Sequence, residues 1–293
     1  MVIAIVLFIF GAAFGSFAAA QVWRLRAKQL ADDKKHGEKV DNKEYELLKP
    51  LISGKLSEDR SRCLSCGHKL AWYDLLPLVS WLSLGGRCRY CRHAIGYFEF
   101  ISELGLGLFF AVSYLVWPSE LSSLLTVSVF TLWLIAGIVL AILFAYDLKW
   151  SILPDAMNWT LAAIGVLYAA VSGVQHAFNS GWLLGLIGSL VIMSGLYGLI
   201  YLVSRGGWVG FGDVKLGIGL GLLLGSWQYA FVALFLANLI GCVVIIPFMA
   251  AKKLNRKSHV PFGPFLIAGT AISVLFGAQI IAWYTETFLV LPL

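Results

Sequence analysis

Three aspartates at the edges of long apolar runs carry the clearest chemical potential in this sequence. Asp147 closes one run, Asp155 opens the next within Leu153-Pro154-Asp155, and Asp213 begins another within Gly210-Phe211-Gly212-Asp213-Val214-Lys215. Ionisable side chains at membrane depth are costly and by default mark functional sites. Two carboxylates held close can share one proton, so that one takes a proton from water while the other protonates a carbonyl, which is the chemistry of peptide hydrolysis. Gly210 and Gly212 would permit close approach of backbone or substrate. Each aspartate also has a plainer reading. Asp155 and Asp213 are candidate helix N-caps, and Asp147 has Lys149 two residues away.

Four cysteines form the second constellation. Cys63-Leu-Ser-Cys66 and Cys88-Arg-Tyr-Cys91 are two knuckles separated by 21 residues, the spacing that presents four thiolates to one tetrahedral ion. The reading is structural zinc, because a closed shell of four sulfurs leaves no position for water and can serve folding only. His68 and His93, each two residues beyond a knuckle cysteine, are expected as neighbours rather than ligands. The alternatives are four reduced thiols or two short disulfides, the latter disfavoured in a reducing compartment. Cys242, inside an apolar run, is expected to be a small packing residue.

The elements that must position these groups are membrane helices. Of 293 residues 59% are hydrophobic and 13% charged, and the mean hydropathy is +0.83. Soluble domains run near about 25% charged. Eight spans are expected, at about 1–23, 98–117, 121–146, 156–175, 181–204, 213–226, 228–250 and 262–285. The uncharged stretch between Lys215 and Lys252 is too long for one crossing, so it breaks at Gly225-Ser226-Trp227-Gln228 and leaves a short, Gly-rich helix before the break. The N-terminal run has no basic residues before it and reads as a retained first span.

With Met1 outside, all 22 Lys and Arg residues fall on the cytoplasmic side, and both termini lie outside. The net charge of +6 thus reflects membrane topology and points to no nucleic-acid partner. Residues 24–97 are a cytoplasmic insert, in which 24–62 is a charged linker or amphipathic helix and 63–91 holds the knuckles. Residues 98–293 form a membrane domain carrying the aspartates. Basic residues Arg24, Arg26, Lys28, Lys34 and Lys35 could touch anionic headgroups. The aromatic residues read chiefly as interfacial anchors.

Taken together, these motifs resemble the type IV prepilin peptidases. The resemblance rests on Gly15-Ser16-Phe17 with Arg24, the run Arg62-Cys63 through Trp72-Tyr73-Asp74-Leu75-Leu76-Pro77, Ser80-Trp81-Leu82, and Gly86-Arg87-Cys88-Arg89-Tyr90-Cys91. It continues through Ile95, Glu103, Asp147 with Asp155 eight residues later, Gly210 to Asp213 with Lys215, and Pro261-Phe262-Gly263-Pro264-Phe265. The resemblance implies that Asp147 and Asp213 are the catalytic pair, with Gly210, Gly212, Asp155 and Lys215 supporting them. It also implies removal of a short basic leader from prepilin or pseudopilin substrates in the bacterial inner membrane. N-methylation of the new terminus from S-adenosylmethionine is implied by the resemblance alone, with no binding residues assignable. Two departures, Ala19 where the family often has asparagine and Phe98-Glu99-Phe100 where it often has Arg-Tyr-Pro, do not involve the aspartate pair. The non-enzymatic alternative is a transporter or assembly scaffold whose aspartates bind ions and whose zinc insert docks a partner.

Overall fold

The structure is a computed structural model that describes residues 1–52, 60–253 and 260–289. Among the described residues it is helical, with no strand and two isolated β-bridges. Among the described residues, seven helices are long and apolar enough to cross a membrane. The eighth expected crossing is the short Gly-rich helix, Phe211–Leu224, whose 14 residues make it about 21 Å long. The chain divides into two compact units, Met1–Leu115 and Val116–Leu293.

In the first unit, α1 (Val2–Lys35) packs against α4 (Phe98–Leu115). Glycines make this contact close: a Cβ added to Gly15 would stand 2.6 Å from Glu103 Cα, and one on Gly11 would stand 2.9 Å from Gly107 Cα. Helix α1 does not stop at the membrane edge expected near residue 23 but continues through Lys35, so the start of the charged linker is helical. Its reason is local. Ala27 and Leu30 are buried against Leu48 of α2 (Asn42–Leu48), and Arg26 forks onto Glu44 with contacts of 3.1 and 2.6 Å. Asp41 caps α2 by accepting from the backbone N–H groups of Lys43 and Glu44. Part of the expected linker, 53–59, lies outside the described residues. A short helix, α3 (Val79–Ser83), lies between the cysteine knuckles.

The second unit contains α5 (Leu124–Trp150), α6 (Asp155–Gln175), α7 (Ser180–Leu190) joined by a π-turn at Val191–Gly195 to α8 (Leu196–Ser204), α9 (Phe211–Leu224), α10 (Trp227–Ala250) and α11 (Gly263–Tyr284). Helix α9 is the hub. Leu216, Leu220 and Leu223 are almost fully buried, and its glycines admit neighbours: Gly219 meets Leu161 of α6, Gly221 meets Leu190, and Gly217 abuts the Met193 backbone in the π-turn. Ser189 and Ser194 donate to the Gly221 and Val214 carbonyls at 2.8 and 3.0 Å, so polar groups also hold it. Gly225, at φ 64°, ends α9 in the left-handed conformation that glycine adopts without strain, and α10 begins two residues later. The expected break is therefore where the chain turns. Trp133 and Tyr146 are fully buried, so these two aromatics pack the interior rather than anchor an interface. Cys242 is exposed on α10 and does not pack inside the unit.

Candidate functional site

The connections 151–154, 205–210 and 260–262 of the second unit border one cleft of about 770 Å³. Asp147, Asp155 and Asp213 all line it, together with Gly210, Gly212 and Lys215. Asp147 lies in the last turn of α5 and is only 4% exposed. Ser151 then takes the left-handed conformation, φ 52°, and its N–H returns to the Asp147 carbonyl at 2.7 Å, closing the helix. This turn sends the chain directly into Leu153-Pro154 and α6.

The Asp147 carboxylate faces the start of another helix. The N–H of Gly263, the first residue of α11, donates to Asp147 Oδ2 over 3.0 Å. The first N–H groups of a helix lack intrahelical acceptors and carry partial positive charge, so a buried carboxylate is well placed there. Asp213 occupies the first turn of α9, where the same field acts on it. Leu153 ties the two together. Its side chain lies 3.1 Å from a Cβ placed on Gly212, beside Asp213, and 3.5 Å from one placed on Gly263, beside Asp147. Glycine at 212 is thus favoured by Leu153 itself, whereas glycine at 263 is required by the Asp147 carboxylate, 2.6 Å from a Cβ placed there.

Asp155 differs from the pair. It is the first residue of α6, preceded by Pro154 as the capping position, and Asp213 sits three residues inside Gly210, so neither is an N-cap. The Asp155 side chain is 63% exposed and pairs with Lys215 at 2.7 Å. Lys149, the plainer partner for Asp147, has its ammonium over the Trp150 ring. Tyr197, buried on α8, and Asn238 on α10 also line the cleft, and neither announces itself in the sequence. Gly263 was visible as part of Pro261 to Phe265, but nothing in that run reveals that its N–H meets Asp147.

In the first unit, the Sγ atoms of Cys63, Cys66, Cys88 and Cys91 lie within 4.8 Å of one another, able to hold one metal ion. Cys63 and Cys91 are 3.9 Å apart, near the roughly 3.8 Å that separates ligands about 2.3 Å from a tetrahedral centre. The two knuckles repeat one fold. Cys63 N–H donates to the His68 carbonyl at 3.0 Å and Cys88 N–H to the His93 carbonyl at 2.9 Å, and bridges join Arg62 to Lys69 and Arg87 to Ala94. Gly67 and Arg92 take the equivalent left-handed position, φ 70° and 59°. Both histidines therefore serve through backbone carbonyls, and His68 stacks on Tyr90.

Asp74 braces the second knuckle, accepting from Arg89 Nε at 2.8 Å, Tyr90 Oη at 3.0 Å and the Ala71 N–H at 3.1 Å. Burial works to raise its pKa, but these donors, Arg89 first, outweigh it and hold the carboxyl below its ordinary value.

Two family models match the chain: the bacterial peptidase A24 N-terminal domain over residues 9–117 and the type IV leader peptidase family over residues 134–246. The chain is 30% identical over 253 residues to a prepilin leader peptidase/N-methyltransferase of Aeromonas salmonicida, covering 85% of this chain and 79% of that protein. Proteins of the same description from Aeromonas hydrophila (29% over 294 residues, 96% and 93% covered) and Dichelobacter nodosus (30% over 286 residues, 93% and 91% covered) are similar throughout. No solved structure matches the chain.

Proposed function

This chain belongs to the type IV leader peptidase family, and from that premise we propose that Asp147 and Asp213 are the catalytic pair of a membrane aspartyl endopeptidase. The enzyme cleaves prepilin leaders and N-methylates the product. What supports the assignment of the pair is one observation: a single cleft collects both aspartates, each set against the start of a helix, with Leu153 packed between their glycine neighbours.

In this reading the scissile peptide lies across the cleft with a water between it and the dyad. One aspartate takes a proton from the water as its oxygen attacks the carbonyl carbon, and the other protonates the carbonyl oxygen. The tetrahedral intermediate then collapses, breaking the C–N bond, with the first carboxyl's proton passing to the leaving amine and a diol hydroxyl proton returning to the second carboxylate, which restores the singly protonated dyad. The helix starts at Phe211 and Gly263 stabilise negative charge on the carboxylates as it builds and disperses. Lys215 and Asp155 form an ion pair at the rim, where they shape the entrance.

The four-cysteine cluster is assigned to zinc, which folds the insert. S-adenosylmethionine supplies an activated methyl group for the second reaction. The distribution of Lys and Arg supports a cytoplasmic insert and cleft, with both termini outside the bacterial inner membrane. That side is where the basic leader of a prepilin or pseudopilin arrives. A transporter would hold its acids near midspan on broken helices, whereas here they sit at helix ends. Incubating the purified protein with a prepilin and reading product termini by mass spectrometry tests both reactions separately.

A further inference from the structure

One stretch between the two cysteine knuckles differs in kind from the rest of the insert. Leu75 to Gly86, between Asp74 and Arg87, is twelve residues without a charge, and seven of them are Leu, Val or Trp. Its middle forms α3, which is set against the start of α4. The Leu78 N–H donates to Glu103 Oε2 at 2.7 Å, and Glu103 is itself buried where α4 meets Gly15 of α1. Leu78 adopts a φ of 62°, a left-handed conformation uncommon outside glycine, and this contact helps to hold it. Trp81 is the second anchor. Its ring lies 5.3 Å from that of Tyr97 and 4.7 Å from that of Phe100, and its Nε1 donates to the Gly96 carbonyl at 2.7 Å.

These anchors fix the depth of α3. Glu103 stands five residues into α4, about 7.5 Å along its axis, and the 18 residues of α4 span only about 27 Å. A hydrocarbon core is about 30 Å thick, so a crossing helix of this length has no turn to spare in water. The first turns of α4, and the segment packed on them, therefore lie at the level of the headgroups and upper acyl chains. The side chains that α3 leaves uncovered are apolar: Val79 and Leu82 are 60% and 62% exposed, and Leu75 and Leu76 just before it are exposed as well. Scattered apolar residues are ordinary on a wet surface. Four within eight residues at this depth are a lipid-facing surface, continuous with that of α4, whose Ile101 is exposed to the same degree, 63%.

We propose that Leu75–Leu82 is an interfacial membrane segment, embedded in the leaflet on the insert's side, with Val79 and Leu82 among the upper acyl chains and Trp81 and Tyr97 at the headgroup boundary. The occupant of this surface is the bilayer itself. The insert is then not wholly aqueous. Because the segment joins the knuckles, and Asp74, which braces the second of them, directly precedes it, the segment holds the metal module against the membrane.

Photolabelling from lipid tests this. The zinc-loaded full chain is placed in nanodiscs containing a phospholipid with a diazirine high on its acyl chain, and adducts are mapped by mass spectrometry after photolysis. The peptide holding Val79 and Leu82 should be labelled comparably to the peptide holding Ile101, and about ten-fold above the peptide holding Leu47, an exposed apolar residue of α2. Labelling at Ile101 without labelling at Val79 and Leu82 would overturn the proposal. Val79→Glu with Leu82→Glu should lower labelling of the segment about five-fold while Ile101 labelling and zinc are kept, because carboxylates leave the acyl region. Undiminished labelling in that variant, with zinc retained, would also overturn it. Should the variant lose zinc, the wild-type comparison decides alone.

Discussion

The Gly263 N–H and the Asp147 carboxylate meet at 3.0 Å although 116 residues separate them, and a Cβ on Gly263 would stand 2.6 Å from Asp147 Oδ2. Gly263→Ala must therefore push the carboxylate or the start of α11 aside. Misplacement of a catalytic group by about 1 Å can cost on the order of 100-fold. The expected outcome is a fall of about that size in kcat with the protein still folded, measured at saturating prepilin. Wild-type kcat in this variant would separate Asp147 from the chemistry.

Asp155 and Lys215 should matter far less. Their pair is exposed on the Asp155 side, and such pairs contribute about 0–1 kcal/mol. Asp155→Asn should retain appreciable cleavage. A thermal double-mutant cycle with Lys215→Met should give a coupling of about 1 kcal/mol or less.

Zinc removal should act on the insert before it acts on the cleft. One ion per chain is expected by elemental analysis. Chelation or Cys63→Ser should make the insert protease-sensitive, because a four-thiolate site that loses its ion or one ligand loses much of its metal-linked folding energy. Freshly purified protein without zinc would refute the assignment.

The Asp74 network gives a pH dependence whose sign follows from its depressed pKa. The folded value lies below the unfolded one, near 3.8, so the carboxylate's contribution is fully present above about pH 5 and is lost as pH falls through the folded value. Asp74→Asn should lower the insert's resistance to proteolysis by a constant amount between about pH 5 and 8. Under saturating zinc, the gap from wild type should narrow only below about pH 4.

Much of this was legible because the membrane forces the sequence to be explicit. Apolar length marks each helix, and the cleft's acids stand out because charges are excluded elsewhere. The break at Gly225 could be read from arithmetic on helix length. The cysteine knuckles were legible because four ligands at fixed spacing have few other uses. Less legible were contacts set by tertiary packing. The sequence leaves 24–62 open between linker and amphipathic helix, and what makes α1 run on through Lys35 is tertiary, with Ala27 and Leu30 meeting Leu48 and Arg26 reaching Glu44. The pairing of Gly263 with Asp147, and the wedge of Leu153 between two glycines, depend on residues distant in sequence and carry no periodic signal.

The most direct test of the account is cleavage of a prepilin at saturating concentration by folded Asp147→Asn, Asp213→Asn and the double variant. Two groups that activate one water act as a unit, so losing either should cost as much as losing both. The same background rate is expected in all three. Robust cleavage by Asp213→Asn would contradict the aspartyl mechanism itself, and robust cleavage by Asp147→Asn beside an inactive Asp155→Asn would show that Asp155, not Asp147, is the partner.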